Sequence, residues 1–177
     1  MNTEARKRLI EVLRANDRGR HTIPSSQLYP HQWAWDSAFA AIGWSLIDSS
    51  RALDELERLF ESQWPDGRVP HIAFDPRAHD YFPGPEFWEC STTSSITNPP
   101  VWATALRIIA ERGGDRNRVA ALIPKVDASL GFFRAARDPL DWGGVAVVHP
   151  WESGRANCPA WDAALEQVDP AKAPPFK

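Results

Sequence analysis

The sequence predicts an all-α chain, built of helical hairpins whose long, aromatic-rich loops gather on one face. Three observations predict it. Apolar residues recur at three- and four-residue spacing in about six segments, the period of a helix with one buried side. No run alternates apolar and polar residues with period two, and no strand–helix–strand order emerges. The connections are unequal: short turns alternate with a stretch from Trp64 to Thr97 that is crowded with aromatic rings.

The first helix is expected over residues 3–16, where Leu9, Ile10, Val12 and Leu13 gather on one side among charges and Gly19 terminates. Arg20 to Pro30 reads as loop. A second helix is expected over 32–47, with Trp35, Phe39, Ile42, Gly43 and Leu46 at helical spacing. Asp48 or Ser49 caps a third, over 50–63, whose apolar face is Leu53, Leu56, Leu59 and Phe60. The long section to Thr97 holds the turn signal Pro65-Asp66-Gly67 and the run Tyr81-Phe82-Pro83-Gly84-Pro85. Loops of that length inside a domain are functional or disordered, and the aromatic content argues for function. Asn98 followed by two prolines reads as an N-cap opening a helix to Arg112, stopped by Gly113-Gly114. Asp115 caps a further helix to Arg137, with a break or kink at Pro124. Asp141 to Gly144 is a turn, Val145 to Val148 a short extended piece, and a last helix spans 159–167. The tail, DPAKAPPFK, offers only Phe176 to a core.

With 177 residues, 43% hydrophobic and 24% charged, the chain reads as one unit, residues 1–177, of ordinary globular composition. A net charge of -3 gives no reason to expect nucleic acid or an anionic membrane as partner. No apolar run approaches the ~18 residues of a membrane span, and the charged N-terminus lacks the apolar core of a signal peptide. The two cysteines, Cys90 and Cys158, form no metal-type spacing and no disulfide framework, so the chain is expected to be cytoplasmic with reduced thiols. Nine tryptophans are more than a helical core needs. Each is either core or a flat stacking surface, and Trp33, Trp35, Trp88, Trp151 and Trp161, close to loops and acids, favour a ligand.

Two stretches concentrate chemistry. In the first, YPHQWAWD at 29–36, Asp36 opens a helix, where the dipole alone favours an acid by ~0.3–1 kcal/mol. Two flanking tryptophans are not needed for that. A carboxylate that accepts hydroxyl hydrogen bonds, beside aromatic faces that stack on sugar C–H groups, makes a carbohydrate site. The second stretch, HPWESGRANCPAWD at 149–162, packs two tryptophans, two acids, an arginine and a histidine into one loop. His71 either donates to a ligand hydroxyl or caps its loop. His71, Asp75, His79 and Asp80 fit no zinc spacing, so neither metal nor cofactor is expected. No phosphate-binding glycine loop is present, because Gly113-Gly114 ends a helix, and Glu152-Ser153-Gly154 lacks the context of a nucleophile elbow.

These stretches carry a resemblance. The string LYPHQWAWDSAFAAIGW at 28–44 is similar to the signature of mannosylglycerate and glucosylglycerate hydrolases, which group with the family 63 glycoside hydrolases and, more distantly, trehalases. QWPDGRVPHIAF at 63–74, YFPGPEFW at 81–88, ITNPPVWA at 96–103 and the loop at 149–162 match in order. The resemblance implies an (α/α)6 toroid with a sugar funnel, and inverting hydrolysis in which an acid protonates the leaving oxygen while a base activates water opposite. It implies that Tyr29, Trp33, Trp35 and Asp36 line the sugar subsite and that His71, Tyr81 and Trp88 belong to a loop closing over it. Asn98 and Glu152 join the substrate-binding set, and Arg155 and Trp161 border the catalytic position. Arg155 suits a glycerate carboxylate, which a guanidinium binds bidentately.

The departures matter as much. Where the resemblance puts the general-acid aspartate stands Ala156, Asn98 stands for a glutamine, and Asp75 for a histidine. General acid catalysis contributes ~10²–10⁴-fold, so the chain is expected to be inactive alone. A toroid of twelve helices at ~12 residues each plus loops exceeds 300 residues. The chain therefore reads as the N-terminal half of such a ring, with the base not assignable. A small glycoside is the expected substrate, and a second polypeptide or second copy is expected to cover the open side. The alternatives are a carbohydrate-binding remnant and one half of a split enzyme.

Overall fold

A computed structural model describes residues 3–167. The expected tail contribution of Phe176 lies outside those residues. Helix α1 covers Thr3–Asn16, α2 Ala34–Trp44, α3 Ser49–Glu61, α4 Pro85–Trp88, α5 Val101–Glu111, α6 Arg116–Ala136 and α7 Asp162–Leu165. Two-residue strands β1 (Gln32–Trp33) and β2 (Ile72–Ala73) pair antiparallel, Gln32 opposite Ala73 and Trp33 opposite Ile72. Turns of 3₁₀ type occupy Pro150–Ser153 and Pro159–Trp161. No described helix is long and apolar enough to cross a membrane.

The helical reading holds, with four corrections. The second helix starts at Ala34, because Gln32 and Trp33 are drawn out as β1 and the backbone N–H of Ala34 is bonded to the His71 carbonyl at 3.0 Å. Asn98 does not cap α5: the cap position is Pro100, and the Asn98 amide instead donates to the Trp151 carbonyl at 3.1 Å. Helix α6 runs through Pro124 without a break. The expected helix over 159–167 is a 3₁₀ turn followed by the short α7. Asp48 and Asp115 cap as expected, each accepting two backbone N–H bonds from the first turn of α3 and α6.

The core lies between α2, α3, α5 and α6, with Ala38, Ala41, Leu53, Leu56, Leu59, Trp102 and Ile109 buried in it. Alanines on the inner side of α2 let α3 and α5 approach closely. The Trp102 indole N–H donates to Ser129 Oγ at 2.8 Å, which ties α5 to α6. Arg118 bridges from α6 to Asp54 (2.6 Å) and Glu57 (2.8 Å) on α3.

One buried acid fastens the loop before β1 to this core. Glu55, 0% exposed on α3, accepts from Thr22 N (3.0 Å), Thr22 Oγ1 (2.7 Å), Ser37 Oγ (2.6 Å), Gln32 Nε2 (3.3 Å) and Arg51 Nη2 (2.9 Å). Arg51 continues to Asp17 at 2.8 Å at the end of α1. Burial pushes the Glu55 carboxyl up, and the donors around it oppose that push. Because Gln32 and Ser37 flank the Trp33–Asp36 segment, this knot sets where the first motif sits.

Candidate active site

Beside the core, a second cluster of Trp33, Ile72, Phe74, Trp88 and Ile96 is buried beneath the loops. Through Trp33 it adjoins a cleft of about 600 Å³. The two motifs meet there. Tyr29 comes from the loop before β1, Trp33 from β1, Trp35 and Asp36 from the first turn of α2, and Trp151, Gly154, Ala156 and Asn157 from the loop at 149–162. His71, Tyr81 and Asn98 close the wall between them.

The rings brace one another edge to face, as their quadrupoles favour. Trp33 meets Tyr29 at 5.2 Å and Tyr81 at 5.3 Å. The His71 ring stacks on Trp151 at 6.1 Å and stands edge-on to Trp33 at 6.3 Å. Burial pushes the Tyr81 hydroxyl up to about 12, with Tyr29 adding to the effect, so it stays protonated as a donor.

Three polar groups in this wall are set apart by their environment. Burial pushes the Asp36 carboxyl above its ordinary range, opposed by its own backbone N–H and the Trp35 side chain. His71 is buried, and desolvation holds its ring at about 3, with His149 adding to the effect, so it is neutral at physiological pH. Its Nδ1 and the Oδ1 of Asn98 are buried with no hydrogen-bond partner among the described residues. Buried polar atoms are ordinarily paired, so an unpaired donor or acceptor in a cleft wall is available to a ligand.

The loop at 149–162 is shaped from within. His149 Nδ1 accepts from Trp151 N at 3.2 Å and starts the 3₁₀ turn. Gly154 has φ +67, and a Cβ there would lie 2.6 Å from the Trp35 ring. Only glycine permits both the left-handed turn and that close approach. The chain then exposes Arg155, Ala156 and Asn157 and closes through Trp161, whose indole N–H donates to the Arg155 carbonyl at 2.8 Å.

Four expected site residues do not line the cleft. Glu152 is buried behind it, where its carboxylate accepts from Arg137 (2.7 Å), Thr97 N (3.2 Å) and Val148 N (3.2 Å) and clamps the loop to α6. Trp88 lies beneath, edge-on to Trp151 at 6.2 Å, with its indole N–H bonded to the Pro83 carbonyl. Arg155 and Trp161 stand at the outer turn of the loop. Conversely, Pro24, Leu28, Phe82, Pro83 and Asn157 join the wall; all but Pro24 lie in the motifs quoted above, but none was named for a site role. Among the described residues no group of three or more His, Cys, Asp or Glu side chains is placed to hold a metal ion. Asp75 is engaged by Arg77 at 2.9 and 2.8 Å, a contact that holds it down at about 2.

Residues 29–177 match the mannosylglycerate hydrolase MGH1-like glycoside hydrolase domain. The chain belongs to this family. It is 47% identical over 178 residues to mannosylglycerate hydrolase of Thermus thermophilus, covering 95% of this chain and 43% of that protein. It is 37% identical over 194 residues to glucosylglycerate hydrolase of Mycolicibacterium hassiacum, covering 99% of this chain and 44% of that protein. In three dimensions 97% of the chain superposes on 43% of the Thermus thermophilus family 63 mannosylglycerate hydrolase in complex with Tris and D-glycerate, with a TM-score of 0.89 at 47% identity. The chain thus spans less than half the length of the curated relatives it matches.

Proposed function

We propose that the cleft binds a small hexosyl glycerate, glucosylglycerate or mannosylglycerate, as the sugar-holding part of an inverting glycoside hydrolase. The observation that carries this reading is Asp36, a half-buried carboxylate that shares the wall of a cleft of about 600 Å³ with Trp33 and Trp35. That volume falls within the ~300–1,000 Å³ of small-molecule sites. Indole faces stack on the C–H face of a hexose ring, and Asp36 accepts from its hydroxyls. Neutral His71 and the Asn98 carbonyl oxygen supply a ring nitrogen and an acceptor for further hydroxyls. Arg155, exposed next to Ala156, is the guanidinium nearest in sequence to the cleft that can take the glycerate carboxylate.

Inversion needs two carboxyl groups ~6.5–9.5 Å apart, one to protonate the leaving oxygen and one to activate water. The family resemblance sets the acid at position 156, where this chain has a methyl group, and the base outside the described residues. This chain therefore binds the glycoside and does not itself supply the proton. Ala156 also favours the second reading, a carbohydrate-binding domain without turnover. Sugar release separates the two. In protein completed with the remaining helices of the family domain, Ala156→Asp restores release if the enzyme reading holds. Ala156→Asp without release refutes it. Binding itself is read by quenching of tryptophan fluorescence with each glycoside: saturation is expected, and its absence overturns both readings.

A further inference from the structure

Next to the cleft wall lies the ring of His31, which is 2% exposed and does not itself line the cleft. It stands one residue before β1, opposite Phe74, where the two-residue ladder stops. There its Nδ1 accepts from the backbone N–H of Asp75 at 3.1 Å, so a side chain carries the pairing on past the backbone. A neutral imidazole that accepts at Nδ1 holds its proton at Nε2. That Nε2 is buried with no hydrogen-bond partner among the described residues.

The ring reaches the cleft through two of its aromatic members. It stacks on Trp33, with centroids 6.0 Å apart and planes 28° apart, and it meets Tyr81 edge-on at 5.1 Å. Phe74 stands edge-on to it at 5.1 Å. The other ring contacts of Trp33, with Tyr29, Tyr81 and His71, are all edge-on. His31 is thus the flat backing of Trp33, and it is pinned to the segment that follows β2. A wholly apolar ring would pack there without leaving a nitrogen unpaired, and buried polar atoms are ordinarily paired. An imidazole is the better choice only where the Nδ1 acceptor and the flat ring are both used.

We infer that His31 is a positioning residue for the sugar-stacking wall: its acceptor for the Asp75 N–H and its flat ring together fix the planes of Trp33 and Tyr81. The inference rests on the glycoside reading of the cleft. Its working form is the neutral ring. Burial pushes the His31 ring below its ordinary range and the charge of Asp75 opposes that push, so the ring is neutral at physiological pH. The titratable and charged groups around it are Tyr81 and Asp75, whose carboxylate holds Arg77 at 2.8 Å and lies 3.7 Å from His21 Nε2. A second proton on the ring would sit on Nδ1 and face the Asp75 N–H, donor against donor. Protonation of His31 therefore releases the pin and lets Trp33 tilt.

Two measurements test this, the first without ligand. In magnetic resonance spectra of the isotope-labelled chain, the Trp33 indole N–H signal is identified by its loss in Trp33→Phe. It is expected to shift together with the His31 ring signals as the solution is acidified, before His71 takes its proton near pH 3. In His31→Phe that step is expected to vanish. A Trp33 signal indifferent to the protonation of His31 overturns the inference, whether or not a glycoside binds. The second measurement is calorimetry with mannosylglycerate and glucosylglycerate. His31→Phe keeps the ring and removes the acceptor; His31→Asn keeps an acceptor near the place of Nδ1 and removes the ring. Each is expected to weaken binding roughly 3- to 10-fold, the worth of one net hydrogen bond or ring contact. Either variant binding as tightly as wild type, whatever its melting temperature, overturns the inference. No heat with the wild-type chain, beside a Trp33 signal that follows His31, refutes the glycoside reading alone.

Discussion

Two regions of the molecule bury polar groups, and they treat them in opposite ways. Under α2 and α3, Glu55 is ringed by donors from Thr22, Gln32, Ser37 and Arg51, and its carboxylate is spent on structure. In the cleft, Asp36 is pushed up by burial, and His71 Nδ1 and Asn98 Oδ1 lack a protein partner. The first arrangement fixes where the second stands, since Gln32 and Ser37 bracket Trp33, Trp35 and Asp36. The difference separates two kinds of acid: one that holds the chain and one held ready for something outside it.

Substitutions pull the two regions apart. Glu55→Gln removes one partner of a buried ion pair and should cost about 3–5 kcal/mol in urea unfolding, while folded molecules keep their affinity for glycoside. A loss of affinity without a loss of stability contradicts the division. Asp36→Asn should do the reverse. Losing a charge-assisted hydrogen bond of about 1.5–3 kcal/mol weakens glycoside binding roughly 10- to 100-fold, with the unfolding midpoint nearly unmoved.

Acid tests the cleft more gently. The folded His71 ring takes a proton only near pH 3, the unfolded ring near 6.5. Its contribution is therefore complete above pH 6.5 and drains as pH falls toward 3, at up to about 1.4 kcal/mol per pH unit. His71→Phe should flatten that part of the stability–pH curve; an unchanged slope contradicts the assigned burial. The smallest stability effect belongs to Ala156→Asp, an exposed loop position, where a change within about 0.5 kcal/mol is expected in thermal melts.

Much of this was legible in the sequence. Helical spacing located α1, α2, α3, α5 and α6, and Asp48 and Asp115 marked caps that form. The aromatic clustering at 29–36 and 149–162 named most of the cleft wall. What escaped is non-local. A two-residue strand is too short to leave a period, so Gln32 and Trp33 read as helix until Ile72 and Ala73 pair with them. Glu152 sits in the densest motif, yet Arg137 at the C-terminal end of α6 claims it, a partner that no spacing announces. Asn98 before two prolines has the form of a cap, but the Trp151 carbonyl draws its amide away. Local chemistry identified the residues; tertiary contacts decided which of them face the ligand.

The most direct test is calorimetric titration of the chain with mannosylglycerate and glucosylglycerate, with free sugar measured in the same samples. Saturable heat with one or both glycosides, weakened roughly 10- to 100-fold by Asp36→Asn and unaccompanied by sugar release, is the predicted result. No heat with either glycoside, or sugar released by the chain with Ala156 in place, would contradict a cleft that binds without supplying the acid.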